Sequence, residues 1–249
     1  MTQVDLSIVI PAFNEHTKIA QDIQQASTFL TTAGLQGEIL VVDDGSTDAT
    51  ADVARQTPVP DTVKCRVIAI ETNQGKGHAV KTGIIASKGQ YILFADSGGC
   101  IPYDQVKIGM DLIQTKHCGL ALGSRRHPQS VIHRDQSFRR RVYSRVFRFL
   151  LNRLFPSLRP LHDTQCGFKV FEGPLARQLF SEATLEGFLF DLDIILLAQS
   201  QGQKVCEFPI EWTCDLDSRL SANRHTAEIL REIRELWRKY GRKGLKPEG

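Results

Sequence analysis

The chain has 249 residues, of which 41% are hydrophobic and 24% are charged, so its composition is that of an ordinary globular protein with room for a large core. No stretch approaches the roughly 20 apolar residues of a membrane-spanning helix, and the first residues lack a signal-peptide pattern, so we expect a protein that neither spans a membrane nor is exported. The net charge of +3 is unevenly distributed, because residues 125–159 contain ten arginines and one acid, and we expect this segment to face an anionic partner.

Four short apolar runs divide the first hundred residues. They are LSIVI (6–10), EILVV (38–42), RVIAI (66–70) and YILFA (91–95). Because amphipathic stretches of helical length separate these runs, the pattern predicts an α/β fold with a mostly parallel sheet and helices on both faces. In such sheets ligands bind beyond the carboxyl ends of the strands.

A polar loop follows each apolar run directly. The loops are PAFNE (11–15), DDGSTD (43–48), ETNQGKGHAV (71–80) and DSGG (96–99). Each loop alone is typical of a turn or a helix N-cap. Four of them at the same edge of one sheet predict a ligand site.

The basic segment 138–155 has two interpretations. On a helical wheel its arginines form a narrow stripe, and its aromatic and aliphatic side chains cover a broad arc. Such a helix suits the head-group layer of an anionic membrane, with its apolar arc facing the lipid. The alternative is that the arc packs against the sheet. Nucleic-acid binding is not indicated, because no DNA- or RNA-binding module is visible.

The rest of the chain predicts a loop at 163–169, a helix at 186–202, a strand at 204–212 and a helical tail at 222–240. No linker interrupts it, so we expect a single domain over residues 1–249 with the basic segment as a surface insertion. Asp191 and Asp193 lie about 200° apart on the predicted helix, so only one of them faces the site.

Eight motifs carry a resemblance to a known family. They are SIVIPAFNE, LVVDDGSTDAT, NQGKGHAVKTGI, LFADSG, GSRR, DTQCGFKVF, EGFLFDLDI and VCEFPIEW. In this order and spacing the chain, over residues 5–240, resembles family 2 glycosyltransferases, and within them the dolichyl-phosphate glucosyltransferase branch. The resemblance implies a GT-A fold. It further implies a nucleotide-binding half (1–100), an acceptor-binding half (101–220) and a C-terminal helix and tail (221–249).

The resemblance implies a UDP-sugar donor. Its nucleoside would lie against Pro11, Ala12, Glu15 and Asp44, and Lys76 and Ser97 would lie near the diphosphate and sugar. Asp96 resembles the first acid of the family's metal-binding DxD element, which holds Mg²⁺ or Mn²⁺, but Gly98 replaces the second acid. Three outcomes remain open: a weakly held metal on Asp96, compensation by Asp104, or loss of turnover.

The resemblance also implies an acceptor phosphate. A phosphate monoester is already ionised near neutral pH, so it needs arginines more than a general base. The predicted contacts with the acceptor phosphate are Arg125, Arg139, Arg140, Lys169 and Arg219. A second role is predicted for Arg125 and Arg219, which together with Lys76 would stabilise the negative charge of the leaving group. Asp163 is expected to position Arg125 or the sugar, and Asp193 resembles the family's catalytic acid more closely than Asp191 does.

We therefore expect an inverting enzyme that transfers a hexose, most simply glucose from UDP-glucose, to a polyprenyl or dolichyl phosphate. It would be cytoplasmic and peripheral on the cytoplasmic face of a membrane, held by the anionic surface and by a possible anchoring partner protein. The six scattered cysteines fit reduced thiols there. The alternatives are a soluble family 2 enzyme with an alcohol or glycan acceptor, and a catalytically impaired protein that binds nucleotide-sugars.

Overall fold

The structure is a computed structural model that describes residues 4–134, 138–213 and 226–241, with the backbone alone at 134, 138–143 and 226. Its strands are β1 (Leu6–Ala12), β2 (Gly37–Asp44), β3 (Lys64–Ile70), β4 (Tyr91–Ala95), β5 (Leu120–Ser124), β6 (Val131–Arg134), β7 (Phe168–Glu172), β8 (Val205–Pro209) and β9 (Glu211–Thr213). Its α-helices are α1 (Ile19–Thr32), α2 (Thr50–Gln56), α3 (Lys76–Ala86), α4 (Val106–Lys116), α5 (Phe138–Leu154), α6 (Gly173–Glu182), α7 (Phe190–Ser200) and α8 (Thr226–Leu236).

Seven strands form one central sheet in the order β3-β2-β1-β4-β7-β5-β8. All neighbouring pairs are parallel except those made by β7, which runs antiparallel to β4 and β5. The mostly parallel sheet predicted from the sequence is therefore confirmed. The carboxyl ends of six strands and the amino end of β7 meet at a single edge.

Strand β7 begins within the segment that we predicted to be a loop. Its residues Phe168 and Val170 are buried, and Phe94 of β4 pairs with Lys169 in register. The polar start of the segment, DTQCG, masks the strand pattern that follows it. The placement of β7 between two parallel strands depends on contacts with residues far away in the chain.

The core covers both faces of the sheet because the strand side chains alternate. Ile8 and Ile10 of β1 pack on the side of α1 and α4, whereas Val9 packs on the side of α3, α6 and α7. All seven residues of β1 are buried. Central strands that are buried on both faces read as continuous apolar runs, which is why four of them were visible in the sequence.

The C-terminal segment is fixed to α7 through Asp193. One carboxylate oxygen of Asp193 accepts hydrogen bonds from the backbone N–H groups of Thr184 (2.7 Å) and Leu185 (3.0 Å). The other accepts from the Tyr240 hydroxyl (2.7 Å) and the Lys239 ammonium (3.1 Å). Burial acts to raise the pKa of Asp193, but these hydrogen bonds outweigh it, so the pKa lies below its ordinary value.

Among the described residues, none of the helices combines the length and the hydrophobicity needed to cross a bilayer. The tail helix begins at Thr226 in the structure. The earlier part of the predicted tail, from residue 222, lies outside the described residues.

The Thr184 hydroxyl also donates to Asp193 (3.2 Å), so five donors lose a buried acceptor in Asp193→Ala. We expect this variant to lower the free energy of unfolding by about 3 kcal/mol. Urea denaturation at pH 7 measures the effect, and Asp104→Ala, at an exposed position, is the control, with an expected change below about 0.5 kcal/mol. Because the pKa of Asp193 is depressed, the wild-type advantage should shrink as the pH falls below 3.8. Equal stability of the two variants would contradict this role of Asp193.

Candidate functional site

The loops that follow β1 and β2 are tied together at the carboxyl edge of the sheet. The Asn14 side chain accepts a hydrogen bond from the backbone N–H of Thr47 (2.8 Å), and the backbone N–H of Asn14 donates to the Ser46 hydroxyl (2.8 Å). The backbone N–H of Glu15 donates to the Thr50 hydroxyl (2.7 Å). These bonds form one wall of the site from two loops distant in sequence.

The residues predicted to line the nucleoside lie along this wall. Pro11 and Ala12 are buried at the end of β1, and Glu15 is half-buried in the loop beyond it. Ser97 is half-buried after β4. Their contacts with a nucleotide stay predictions.

Asp44, at the end of β2, shapes the third loop. Its two carboxylate oxygens accept hydrogen bonds from the backbone N–H groups of Gln74 and Gly75, each at 2.9 Å. Burial raises the pKa of Asp44, and these two bonds oppose the shift. Gly45 adopts a φ of +69° against the backbone of residues 72 and 73, where a side chain would not fit. Asp44 thus positions the start of α3. Each of its carboxylate oxygens keeps a further lone pair, which is available for the predicted contact with the nucleobase.

Lys76 and Asp96 form an open ion pair at the centre of the edge. The Lys76 ammonium lies 2.6 Å from Asp96 Oδ1, and their side chains are 42% and 38% exposed. Desolvation acts to lower the pKa of Lys76, but the carboxylates of Asp96 and Asp191 outweigh it and raise the pKa. A cation at the first residue of α3 therefore stays charged beside a solvent-accessible carboxylate.

A second ion pair is buried beneath the first. The Lys169 ammonium lies 2.7 Å from Asp191 Oδ1, and both side chains are nearly inaccessible to water. Burial raises the pKa of Asp191, and the nearby ammonium groups of Lys169 and Lys76 oppose the shift. Acids and bases thus alternate through the cluster of Lys76, Asp96, Lys169 and Asp191.

Two predictions about these residues need correction. We expected Asp193 to face the site, but its carboxylate is enclosed by the C-terminal segment, and Asp191 faces the site instead. The helical spacing gives only the angle between the two acids, so it does not tell which one points inward. Lys169 was predicted to contact acceptor phosphate, but it is 1% exposed and bound to Asp191.

Arg125 and Asp163 form a third pair beside β5. Arg125 Nε donates to Asp163 Oδ2 (2.6 Å), Nη2 donates to Oδ1 (2.8 Å), and the Arg125 backbone N–H also donates to Oδ2 (3.1 Å). The guanidinium lies over the Trp212 ring at 5.6 Å. Burial acts to raise the pKa of Asp163, but Arg125 outweighs it and holds the pKa below its usual value. Asp163 thus holds the Arg125 guanidinium in place, and its expected part in catalysis stays a prediction.

The other predicted phosphate contacts are not described in side-chain detail. Arg139 and Arg140 lie in α5, where the structure describes the backbone alone, and Arg219 lies outside the described residues. Their roles stay predictions.

The edge of the sheet fits a divalent cation only through one carboxylate. Asp96 Oδ1 is buried, and the contact described for it is the ion pair with the Lys76 ammonium at 2.6 Å. Magnesium is bound in many enzymes by one or two carboxylates together with substrate phosphates. No cluster of three or more potential ligands exists among the described residues, and Asp104 is exposed in a separate turn. The donor set fits Mg²⁺ or Mn²⁺ with Asp96 as protein ligand and phosphate oxygens as the rest.

Sequence reasoning missed the residues that hold the loop at 186–189. The carbonyl of Glu186 accepts from the backbone N–H of His78 (2.9 Å), and its carboxylate binds the side chains of His78 (2.8 Å) and Lys81 (2.9 Å). From the other side, buried Glu232 of α8 accepts from the backbone N–H of Leu189 (2.8 Å). This loop connects α3, which begins at Lys76, to the first turn of α7, which carries Asp191.

Asp22 of α1 was also missed. Its side chain is 1% exposed and accepts a hydrogen bond from the backbone N–H of Gly98 (2.9 Å). Asp22 falls on the apolar face of α1, at the helical spacing of Ile19, Ile23 and Ala26. An acid on an apolar helix face is unusual, and this is the sequence signal that could have identified Asp22 as a buried functional or structural residue. Gly98 has a φ of +103°, which disfavours any residue with a side chain. The absence of a second acid in this loop therefore has a backbone reason.

Comparisons with known proteins were made on the whole chain. The sequence profile of the family "Glycosyl transferase family 2" matches residues 7–174. A dolichyl-phosphate beta-glucosyltransferase of Drosophila melanogaster is 32% identical over 248 residues, which cover 95% of this chain and 76% of that relative.

Two solved structures share the fold. Mannosyl-3-phosphoglycerate synthase from Rubrobacter xylanophilus has a TM-score of 0.72 at 20% identity, over 96% of this chain and 75% of that chain. Glucosyl-3-phosphoglycerate synthase from Mycobacterium tuberculosis, in complex with Mn²⁺, UDP-glucose and phosphoglyceric acid, has a TM-score of 0.68 at 17% identity, over 92% of this chain and 78% of that chain. These likenesses confirm the expected GT-A architecture.

Asp22 should make the stability of the protein depend on pH. Burial raises the pKa of Asp22 to about 6 from 3.8, so the folded protein binds this proton more tightly than the unfolded chain. The contribution of Asp22 is therefore most favourable below pH 3.8 and is lost as the pH rises through 6. From pH 4 to pH 7, Asp22→Asn should gain about 2 kcal/mol of unfolding free energy relative to wild type.

Urea denaturation at several pH values measures this difference. Asp111→Asn, at an exposed position of α4, is the matched control and should track the wild type throughout. A difference between Asp22→Asn and wild type that does not change with pH would refute the assignment.

Proposed function

Since the chain belongs to glycosyl transferase family 2 and is a glycosyltransferase, we propose that it transfers glucose from UDP-glucose to a polyprenyl or dolichyl phosphate with inversion. The observation that carries the proposal is the convergence, at one edge of the sheet, of the Lys76–Asp96 pair with the Arg125–Asp163 pair. The first pair suits a sugar diphosphate and the second an anionic acceptor. The activity named for the Drosophila relative supports this acceptor.

Donor binding is assigned to residues 1–100. The nucleoside lies against Pro11, Ala12, Glu15 and Asp44, with Ser97 near the sugar. Lys76 faces the diphosphate, where its charge balances the negative charge that develops on the leaving UDP.

Asp96 is the proposed ligand of Mg²⁺ or Mn²⁺. Such a cation, when bound, supplies additional positive charge to the leaving diphosphate. The M. tuberculosis synthase, whose structure contains Mn²⁺ and UDP-glucose, supports this assignment by analogy of fold. Because Asp96 is paired with Lys76, the cation competes with an ammonium group and should bind weakly without the nucleotide.

Acceptor binding is assigned to residues 101–220, with residues 221–249 as the supporting tail. An ionised phosphate oxygen attacks the anomeric carbon in a single displacement, so no side chain has to remove a proton. Arg125 orients this phosphate and is itself oriented by Asp163. Arg139, Arg140 and Arg219 are proposed as further contacts.

Helix α5 is proposed to lie on the membrane surface. Val146, Phe149 and Leu150 are 63%, 75% and 42% exposed, whereas Leu151 and Phe155 are buried in the core. One side of the basic segment therefore packs against the core, and the exposed side is the one that we propose to face the lipid. Exposed aromatic and aliphatic side chains among arginines favour an anionic head-group layer. We propose the cytoplasmic face, with or without an anchoring partner protein.

The direct test is to incubate the purified protein with UDP-[¹⁴C]glucose and a C55 or C95 polyprenyl phosphate, with and without Mn²⁺. Label in the organic phase supports the proposal. Label only on added alcohols or glycans would identify a soluble acceptor instead. Binding of UDP-glucose without any transfer would identify a catalytically impaired protein, the alternative suggested by Gly98 in place of the second metal-binding acid.

Arg125→Lys should lower kcat/KM for polyprenyl phosphate by about a hundredfold, because lysine keeps the charge but loses the bidentate geometry. The Kd for UDP-glucose, measured by calorimetry, should stay within about threefold. Arg153→Lys, on the exposed side of α5, is the control and should leave both values unchanged. If Arg125→Lys also weakened UDP-glucose binding to a similar extent, the assignment of Arg125 to the acceptor subsite would be wrong.

Asp96→Asn should remove the effect of Mn²⁺ on UDP affinity and lower kcat by about a hundredfold. Titration of UDP with and without Mn²⁺ measures the first effect independently of turnover. Asp104→Asn is the comparison that decides between the two candidate ligands. If Asp104→Asn abolishes the Mn²⁺ effect and Asp96→Asn does not, the metal ligand is misassigned.

A further inference from the structure

A small cavity of about 90 Å³ lies between the inner face of α5 and the segment 158–165. The positively charged or titratable side chains that line it belong to Arg125, Arg126, Arg148 and His162, and the apolar ones to Phe147, Leu151, Leu158 and Leu161. Asp163 also lines it, so the cavity adjoins the Arg125–Asp163 pair.

The cavity has an excess of positive charge. Asp163 is the only acid among the described residues that line it, and its carboxylate is already bound by Arg125 through three hydrogen bonds. Arg126 donates to the Ser144 hydroxyl (2.8 Å), and Arg148 points at the His162 carbonyl at 3.5 Å. Burial lowers the pKa of Arg126, and the neighbouring Arg148 lowers it further, with only Asp163 opposing. Just outside the lining, Glu207 binds the His162 ring and the backbone N–H groups of His162 and Asp163, each at 2.8 Å. Arg126 and Arg148 therefore share a partly desolvated space with no carboxylate bound to either of them among the contacts described for the lining residues.

A neutral donor in the cavity wall also lacks an acceptor. The side-chain nitrogen of Gln165 is buried without a hydrogen-bond partner. A buried donor left unpaired is unfavourable, and an anion with several oxygens would satisfy it while balancing both arginines. The charge imbalance and the unpaired amide are independent observations that indicate the same kind of ligand.

The apolar part of the lining restricts the ligand further. Phe147, Leu151, Leu158 and Leu161 form a hydrophobic floor, which a free inorganic anion would leave uncovered. A phosphate monoester of a hydrocarbon alcohol satisfies both parts, with its head group on the arginines and its first carbons on the floor. The small volume leaves the rest of the hydrocarbon outside, next to the exposed apolar side chains of α5.

We propose that this cavity binds the phosphate and the first carbons of the lipid acceptor, with Arg126, Arg148 and Gln165 as its binding residues. The inference rests on the proposed function and adds Arg126, Arg148 and Gln165 to the acceptor contacts that were predicted from the sequence. Arg125, held by Asp163, then forms the side of the cavity from which the phosphate reaches the sugar.

The test measures binding of farnesyl phosphate to the full-length protein in the presence of UDP, by calorimetry. Arg126→Gln and Arg148→Gln should each raise the Kd at least about tenfold, as expected for loss of a charge-assisted contact. Arg153→Gln, which removes the same charge from the exposed side of α5, is the matched control and should stay within about twofold. The Kd for UDP-glucose and the midpoint of thermal unfolding should be unchanged in all three variants.

Two further arms make the outcome decisive. Arg126→Lys should recover part of the affinity, because it restores the charge without the bond to Ser144. Inorganic phosphate should bind more weakly than farnesyl phosphate. Equal affinity for the two would mean a free-phosphate site and would overturn the inference.

Unchanged farnesyl phosphate affinity in both arginine variants, or an equal loss in Arg153→Gln, would also overturn it. So would a failure of the wild type to bind farnesyl phosphate. The radiolabel assay separates the proposed function from the proposed subsite. If the wild type transfers glucose to polyprenyl phosphate but fails this binding test, the proposed function stands and the subsite is wrong.

Discussion

The buried pair of Lys169 and Asp191 holds the site together. A charge buried without a partner is unfavourable by several kcal/mol, so each residue depends on the other. Lys169 comes from β7 and Asp191 from α7, and their pair lies beneath the ion pair that joins the start of α3 to the loop after β4. Four elements distant in sequence are therefore fixed by charge matching within one small volume.

Much of the fold could be predicted from the sequence, because central parallel strands are buried on both faces and read as apolar runs. The polar loops followed those runs, so their meeting at one edge could be predicted as well. The antiparallel β7 could not, since its position between β4 and β5 depends on tertiary pairing. Two motifs supplied Asp163 and Arg125, but the sequence left open whether the acid contacts the guanidinium or the sugar, and the contact of the two side chains is visible only in the structure.

The missed residues share a physical reason. Asp22, Glu186 and Glu232 act on backbone N–H groups or side chains of other segments, and such partners leave no local pattern. Asp22 and Glu232 are buried acids of amphipathic helices, and an acid at a core position is the one trace that each leaves. The choice between Asp191 and Asp193 likewise depends on how α7 is rotated about its own axis relative to the sheet. Helical spacing gives only the angle between the two acids and not this rotation.

The stacking of Arg125 on Trp212 has a practical consequence. The chain contains two tryptophans, Trp212 and Trp237, so replacing Trp237 with phenylalanine leaves a single indole, which contacts the Arg125 guanidinium at the edge of the small cavity. Indole emission responds to the charge and hydration of its surroundings. The protein therefore carries an intrinsic fluorophore in contact with Arg125, and a ligand that binds beside Arg125 could be followed optically without any attached dye.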